Sequence, residues 1–398
     1  RHHPLAVAQL VRLLPGQRSA ALAQYETCRR ILAEELGVEP AFETQALYQR
    51  IYSAGQNSPH NLPPRQTHLL AREKELQQIA AHLANPDCRL LTLTGPGGIG
   101  KTLLSLEAAR EQIGVFLHGV YFIALAPITT PDLLTTTVAD AIHCSLDGTE
   151  ELQTELHDFL REKEMLLVLD NFEHLLIGAS WVSQLIAAAP HVKLIVTSRE
   201  RLNMRREYLL ALRGLSHPEA SHLHGEQAVT HGAIQLFVRE ARRVRPDYNP
   251  SADDLQQIAH ICHHLQGLPL GIELAAAWIR LMPVAQIWRE MQQDLDILAT
   301  AVSDIPERHQ SIRLVFQHSW ALLTSKEKKV LCRLTVFRAQ FSQEAAREVA
   351  QASPHLLLMF VNKSMLRRTL AGAFELHELL KQFLIEKLAE NKDEPQRA

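Results

Sequence analysis

The segment LTLTGPGGIGKTLLS, residues 91–105, decides the fold prediction for this chain. A short β-rich run leads into a loop with four glycines, which ends at Lys101 and Thr102 before a helical pattern. Glycines at these spacings let successive backbone N–H groups surround a phosphate, and the N-terminus of the following helix adds positive potential. The segment therefore predicts a phosphate-binding loop between a strand and a helix.

Two side chains at the end of the loop have predicted roles. Residues 95–102 fit the pattern G-x-x-x-x-G-K-[ST], in which the lysine reaches the β- and γ-phosphates and the hydroxyl residue ligates Mg²⁺. Lys101 and Thr102 occupy these two positions. The alternative is an ordinary glycine-rich turn, but the strand before the loop and the helix after it favour phosphate binding.

A second segment, MLLVLDNFEH at residues 165–174, predicts a strand that ends at Asp170. Ligands of open α/β sheets bind beyond the carboxyl ends of the strands, where an aspartate can hold Mg²⁺ directly or through water. The alternative role for Asp170 is a helix N-cap. Asn171 cannot act as a base, and Glu173 could either orient a water or interact with the dipole of the next helix. We therefore expect ATP hydrolysis to be slow at most.

A third strand, within LIVTSRERL at residues 194–202, ends close to Arg199. A cation at that end of the sheet can sense a γ-phosphate from within the same chain. The alternative is an exposed arginine at the start of a helix. The position after a strand and the positive charge favour γ-phosphate sensing.

The order of apolar strands and helical patterns predicts the fold class. The strands CRLLTLT, GVYFIALAP, EMLLVLDN and VKLIVTSRE alternate with helices, which is typical of an α/β P-loop domain with a parallel sheet. Mostly helical sequence follows, with a hairpin across LRRTLAGAFELH that indicates a winged helix. We predict four parts: a helical (TPR-like) remnant with the linker SAGQNSPHNLPP at 1–60, the P-loop domain at 61–215, a helical domain at 216–305 and a winged-helix domain at 306–398.

Composition excludes several classes of function. The net charge of −3 and the pI near 6.8 argue against binding nucleic acid by bulk electrostatics. The five cysteines form no CxxC pair and no apolar run approaches a membrane span, so we expect no membrane partner and a cytoplasmic location. The chain lacks an initial Met, and we expect further domains on both sides of it.

Five motifs in the order glycine loop, LLVLDN, TSR, GLPLGIELAAA and FELHELLKQF carry a family resemblance. Together they resemble the signal-transduction ATPases with numerous domains (STAND), and more narrowly the NB-ARC type of apoptotic adaptors, plant resistance proteins and bacterial transcriptional activators. The segment at residues 16–51 resembles the end of the bacterial transcriptional activation domain of SARP (AfsR-like) activators. These resemblances imply binding of ADP or ATP with Mg²⁺.

The resemblance also implies roles for residues outside the glycine loop. LLAREKEL resembles the motif that lines the adenine pocket, with Ala71 in place of the family's glycine. Pro269 resembles the proline that packs on adenine, although GLP could simply separate two helices. His377 resembles the histidine that contacts the ADP β-phosphate and holds the closed state. The expected nucleotide contacts are Leu70, Arg72, Gly95, Gly97, Gly98, Ile99, Gly100, Lys101, Thr102, Leu103, Pro269 and His377; the expected metal ligands are Thr102 and Asp170; and the expected catalytic residues are Lys101, Asp170, Arg199 and Glu173.

Three hypotheses about function follow. The first is a switch that is off with ADP bound between the α/β and helical domains, and that self-associates when ATP replaces ADP. The second is a protein- or DNA-binding module with a structural nucleotide, and the third is a turnover ATPase or remodeller. In the first hypothesis DNA and RNA polymerase are contacted only through domains outside this chain, and the activating signal is an unidentified ligand or protein.

Overall fold

The computed structural model describes most of the chain as two compact units. The first unit holds the described residues up to Thr94 together with Lys101–Ala211, and the second holds Gly95–Gly100 together with the described residues from Leu212 onward. The described residues are 18–41, 44–45, 48, 58–65, 68–148, 151–218, 230–292, 295–299, 311–337, 339–369 and 372–393.

A parallel sheet forms the centre of the first unit. Its strands lie in the order β2-β3-β4-β1-β5, and all neighbouring pairs are parallel. Strands β3 and β4 are buried along their whole length, as expected for a parallel sheet covered on both faces. The predicted α/β fold is confirmed. The strands are β1 Leu90–Thr94, β2 Val120–Ala124, β3 Leu166–Asp170, β4 Lys193–Ser198 and β5 Glu207–Ala211.

Strand β5 is the one strand of the sheet that the sequence pattern missed. Every residue of its sequence, EYLLA, is half-buried or exposed because β5 is an edge strand that pairs with β1 alone. The apolar runs that predict the other four strands are typical of strands buried on both faces. A half-exposed edge strand does not give that signal.

Helices of the first unit supply the apolar side chains that cover the sheet. Leu156 and Leu160 of α5 and Val182 and Leu185 of α6 are fully buried in the same hydrophobic cluster as Leu169 of β3. Their spacing of three or four residues places them on one face of each helix. The helices are α1 Arg18–Leu36, α2 Glu73–Ala84, α3 Lys101–Glu111, α4 Leu134–Ala141, α5 Leu152–Leu160 and α6 Ala179–Ala188.

The first helix of the predicted helical remnant is buried at only some positions. Leu22 and Tyr25 are buried, whereas Ile31 is 44% exposed. Gly37 has a φ of +63° and ends α1 in the left-handed conformation. Beyond α1, most of residues 41–52 of the predicted remnant lie outside the described residues, although Tyr48 stacks on Tyr25 with ring centroids 4.1 Å apart.

The second half of the predicted linker SAGQNSPHNLPP pairs with the sheet. His60 forms a parallel bridge to Val120. The Asn61 side chain accepts a hydrogen bond from the Phe122 N–H at 2.6 Å and donates to the Phe122 carbonyl at 2.9 Å. An asparagine side chain offers the same donor and acceptor as a peptide group. This part of the segment is therefore docked beside β2, which its proline-rich composition did not predict.

The second unit is mainly helical and includes the predicted hairpin. Strands β6 (Leu366–Arg368) and β7 (Phe374–Leu376) pair antiparallel, and Phe341 bridges to Phe374 beside them. Among the residues that the structure describes, no helix is both long and apolar enough to cross a membrane. The helices are α7 Gly232–Val244, α8 Ala252–His264, α9 Pro269–Ala277, α10 Val284–Met291, α11 Ile312–Ala321, α12 Ser325–Arg333, α13 Gln343–Ala350, α14 Pro354–Asn362 and α15 Glu378–Asp393.

A strained backbone position precedes α2. Ala71 has a φ of +52°, in the left-handed region that glycine adopts without steric cost. This is the position at which the resemblance places a glycine in the family motif. The chain thus places an alanine in a conformation that a glycine would adopt without steric cost.

Replacing Ala71 with glycine should therefore stabilise the protein. We expect Ala71→Gly to raise the free energy of unfolding by about 0.5–1 kcal/mol, since the left-handed strain exceeds the entropy cost of glycine. The control is Ala81→Gly at an exposed position inside α2, which should lower it by about 0.5–1 kcal/mol. Urea unfolding would measure both, and a loss of stability in Ala71→Gly would contradict the strain argument.

Candidate functional site

The carboxyl ends of three neighbouring strands form the edge at which the predicted residues meet. Strand β4 lies between β3 and β1, and its register aligns Thr197 with Leu93 and Ser198 with Thr94. Strand β3 ends at Asp170, and β1 continues into the glycine loop. This is the edge where open α/β sheets bind their ligands.

Asp170 accepts hydrogen bonds from two hydroxyl groups. The Thr102 Oγ1 lies 2.8 Å from Asp170 Oδ1, and the Thr197 Oγ1 lies 2.6 Å from the same oxygen. Thr197 in turn accepts a bond of 2.9 Å from the backbone N–H of Asn171. Asp170 and Thr197 are buried, whereas Thr102 is exposed. The two predicted metal ligands, Thr102 and Asp170, are thus in contact.

These oxygen donors fit a hard divalent cation. Mg²⁺ prefers carboxylate, hydroxyl and phosphate oxygens and binds to proteins through one or two carboxylates plus substrate phosphates. Thr102 and Asp170 supply one hydroxyl and one carboxylate beside the end of the glycine loop. Thr197 was not predicted as part of this group, although its position at the end of β4 in TSR could have indicated it.

The side-chain amide of Asn171 is oriented by a histidine, whereas its backbone N–H bonds to Thr197. It has a φ of +70°, and its Nδ2 lies 3.3 Å from His174 Nδ1. His174 Nε2 lies 2.9 Å from the Ile128 carbonyl, which can only accept. The Nε2 therefore carries the proton, and Nδ1 accepts from the Asn171 amide. The position after Asp170 holds an anchored amide that cannot take a proton from water.

Glu173 and Arg199 form a buried ion pair. Glu173 lies in a short 3₁₀ helix, Phe172–His174, and its Oε1 is 3.0 Å from Arg199 Nε. Their side chains are only 3% and 8% exposed. The Glu173 Oε2 is buried and has no hydrogen-bond partner among the described residues. The sequence suggested separate roles for the two residues and did not predict that they pair, although both follow the carboxyl ends of adjacent strands.

The glycine loop belongs to the second unit and contacts the start of α9 within that unit. Gly98 has a φ of +76°, and a Cβ at this position would lie 2.7 Å from the Leu270 Cβ. The Leu270 N–H donates to the Gly98 carbonyl at 3.2 Å. Pro269, the residue before Leu270, begins α9. The structure therefore brings the GLP motif to the loop, and the loop accepts only glycine at position 98.

The remaining predicted contact residues lie in the glycine loop, at the start of α3 and just before α2. Lys101 begins α3 and is partly exposed, as is Leu103, whereas Ile99 is buried. Gly97 lies in the turn of the loop, and Gly95 and Gly100 both have positive φ angles. Before α2, Leu70 is partly buried and Arg72 is buried, with its Nη1 2.5 Å from Glu75 Oε1. Their contacts to a nucleotide stay predictions.

His377 caps the last helix of the second unit. It precedes α15, and its Nδ1 accepts a hydrogen bond of 3.2 Å from the Leu379 N–H. Desolvation lowers the pKa of His377 to about 4, although part of the ring remains accessible; a hydrogen bond to the Leu265 carbonyl opposes this shift, and the nearby His264 adds to it. The ring is thus neutral at pH 7. Its predicted contact with a phosphate stays a prediction.

Comparisons with known proteins agree with this site. The bacterial transcriptional activator domain family matches residues 6–52, and the NB-ARC domain family matches residues 72–220. The chain is 32% identical over 317 residues to Rv0890c of Mycobacterium tuberculosis (strain ATCC 25618 / H37Rv), whose name assigns it to the HTH-type transcriptional regulators. That match covers 76% of this chain and 34% of the relative.

One further relative and one solved structure extend the comparison. Regulatory protein AfsR of Streptomyces griseus is 24% identical over 409 residues, which covers 92% of this chain and 39% of AfsR. This chain therefore spans well under half the length of both named regulators. The Walker-type ATPase PABY2304 of Pyrococcus abyssi has the same fold, with a TM-score of 0.53 at 13% identity over 82% of this chain and 99% of that one.

The family matches, the relatives and the geometry of the sheet edge lead to one assignment. The NB-ARC match includes the glycine loop, the Asp170 cluster and Arg199, and the activator-domain match lies before it. The chain carries an NB-ARC domain preceded by a match to the bacterial transcriptional activator domain, and its sequence is similar to HTH-type and AfsR-type bacterial regulators.

Proposed function

We propose that this chain is a nucleotide-dependent switch, off with ADP and on with ATP, within a bacterial regulator. Family membership supports a nucleotide-binding regulatory role. The observation that carries the proposal is the hydrogen-bonded group of Thr102, Asp170 and Thr197 in the first unit; within the second unit, the loop that precedes Thr102 in the sequence accepts only glycine at position 98. Such a group provides the oxygens for Mg²⁺ and the backbone for a polyphosphate.

Different residues of the proposed site would bind different parts of a nucleotide. Backbone N–H groups of the loop and the Lys101 ammonium would hold the phosphates, and Thr102 with Asp170 would hold Mg²⁺. The Mg²⁺ ion would neutralise phosphate charge when bound. Thr102 donates its hydroxyl proton to Asp170 in this structure, so metal binding must redirect that hydroxyl. A change of the bound nucleotide or metal would therefore alter the hydrogen bonds of Asp170 at the end of β3.

Two observations favour a switch over a turnover ATPase. The residue after Asp170 is an asparagine whose amide is held by His174, and an amide cannot serve as a general base. The carboxylate that follows, Glu173, is engaged as the counter-ion of Arg199. A turnover enzyme needs a positioned acceptor for the proton of the attacking water. Slow hydrolysis suits a switch, since the bound state then persists.

The hydrogen bond between Gly98 and Leu270 offers a route from the loop to the helices. It joins the loop to the first turn of α9 within the second unit. A ligand shifts an equilibrium only by its difference in affinity for the two states. We propose that ADP and ATP favour different conformations of the loop, and that the ATP form self-associates. Light scattering with each nucleotide bound would test the self-association.

The proposed output is transcription. The match of residues 6–52 to the bacterial transcriptional activator domain and the similarity to AfsR support it. Contacts to DNA and RNA polymerase would lie in parts of the regulator outside this chain, and the activating ligand or protein is undefined. The competing proposal, a binding module with a structural nucleotide, predicts signalling that does not depend on nucleotide exchange.

The first test is nucleotide capture. The denatured protein should release ADP or ATP, and Lys101→Ala should weaken ADP affinity by about 10- to 150-fold, because a charged hydrogen bond of about 1.5–3 kcal/mol is lost. Fluorescent-nucleotide titration measures the affinity. Lys326→Ala, an exposed lysine in α12, is the control and should leave it unchanged. Equal affinity in Lys101→Ala and wild type would reject the proposed site.

The second test concerns the metal. Asp170→Asn keeps an oxygen but removes the charge, so the Mg²⁺ concentration needed for tight ATP binding should rise by about 10- to 100-fold. Binding of ADP in EDTA should change little, since the phosphates are held by the loop. Asp140→Asn, an exposed aspartate in α4, is the matched control. An unchanged Mg²⁺ dependence of calorimetric ATP titrations would remove Asp170 from the metal site.

The third test separates two roles of His377. Loss of the helix cap in His377→Ala should cost about 1 kcal/mol of stability, whereas His377→Asn provides another capping side chain. If His377 also contacts ADP, both variants should release ADP faster than wild type in a stopped-flow chase. Fast release in the alanine variant alone would assign the effect to the cap and reject the phosphate contact.

A further inference from the structure

We propose that Glu173 is a positioning residue that holds Arg199 when no γ-phosphate is bound, and thereby sets the preference of the site for ADP over ATP. This inference rests on the proposed nucleotide switch and deepens it. It assigns one function to two residues that were predicted separately, and it follows from their contact, their burial and their place on the sheet edge.

The pair is a buried, directional contact. The Arg199 Nε donates to the Glu173 Oε1 at 3.0 Å, and the two side chains are 8% and 3% exposed. Removing one partner of a buried ion pair leaves an uncompensated charge in the interior, which is strongly unfavourable. Arg199 can therefore leave Glu173 readily only if another anion takes its place.

The pair is also tied to the proposed metal site. Arg199 follows Thr197 by two residues, and the Thr197 hydroxyl donates to Asp170 at 2.6 Å. Glu173 follows Asp170 by three residues, through Asn171, whose N–H donates to Thr197. The Arg199 guanidinium and the Asp170 carboxylate are thus held by the same two short segments, residues 170–173 and 197–199. An anion brought to this edge with Mg²⁺ would approach Arg199 as well.

The terminal phosphate of a nucleoside triphosphate has the required chemistry. Phosphate oxygens accept charge-assisted hydrogen bonds from arginine, as a carboxylate does. A diphosphate has one phosphate fewer, so ADP would leave the Arg199–Glu173 pair intact. ATP would instead compete with Glu173 for Arg199. The two nucleotides therefore differ in whether they break this pair.

The competition imposes a cost on ATP alone. When Arg199 moves to the γ-phosphate, the Glu173 Oε1 loses its cation, and the Oε2 already has no hydrogen-bond partner among the described residues. A buried carboxylate with too few partners is unfavourable, so part of the γ-phosphate binding energy is spent on separating the pair. Glu173 thus raises the threshold for switching to ATP.

The decisive variant is Glu173→Gln, which keeps the shape and one oxygen acceptor but loses the charge. With Mg²⁺ present, the ratio of ATP-analogue affinity to ADP affinity should rise by about tenfold, within the usual range of coupling between sites. Affinity for ADP itself should stay within about twofold, because the pair is not broken by ADP. A non-hydrolysable ATP analogue and ADP are the two probes, titrated by calorimetry on the full chain.

A matched control tests whether any buried glutamate has this effect. Glu240 in α7 is also buried and pairs with Arg239 at 3.1 Å and with Arg243 at 2.8 Å, within the second unit. Glu240→Gln should leave the affinity ratio unchanged. Thermal unfolding of each variant checks the fold. If Glu173→Gln does not fold, Glu173→Asp keeps the charge on a shorter side chain and should shift the ratio in the same direction.

A double variant distinguishes positioning from a general structural role. In the Arg199→Ala background there is no cation for Glu173 to hold, so adding Glu173→Gln should no longer change the ratio. If Glu173→Gln leaves the ratio of ATP-analogue affinity to ADP affinity unchanged or lowers it in the otherwise wild-type chain, the inference is overturned. The proposed function still stands in that case, provided that nucleotide binding depends on Lys101. Absence of nucleotide binding by the wild-type chain would instead overturn the proposed function, and the inference with it.

Discussion

The Asp170 carboxylate, placed where the ends of β3 and β4 meet the start of α3, is the constraint on which the site depends. Its Oδ1 accepts from Thr102 at the start of α3 and from Thr197 at the end of β4. One oxygen thereby joins three segments that are distant in sequence. Because the aspartate is buried, it must be satisfied by such donors or by a cation. A metal ion bound at this point would compete with contacts that hold the sheet edge together.

In the proposed switch, the same edge would separate the sensing of a nucleotide from its hydrolysis. The residue after Asp170 is an amide anchored to His174, and the next carboxylate neutralises Arg199. Neither side chain has the environment of a general base, which must be placed to accept a proton from water. Their contacts instead make the edge sensitive to the number of phosphates bound. We regard the sheet edge as built for discrimination between nucleotides more than for turnover.

The parts of the structure that could be predicted are those with local signals. Strands buried on both faces form apolar runs, and the loop has a fixed spacing, so four strands, the start of a helix at Lys101 and the end of a strand at Asp170 could be predicted. Strand β5 and the docking of Asn61 were not, because an edge strand and a side chain that mimics a peptide leave no periodic pattern. The Glu173–Arg199 contact depends on strand order, which a single sequence without an alignment does not reveal.

His377 shows how the neutral state of a side chain limits its function. Its folded pKa of about 4 lies below the unfolded value near 6.5, so its contribution to stability is present above pH 6.5 and is lost as the pH falls toward 4. At neutral pH the ring carries one proton. With Nδ1 accepting from Leu379, that proton is on Nε2. The neutral ring can therefore donate one hydrogen bond, from Nε2, and it carries no charge with which to attract a phosphate.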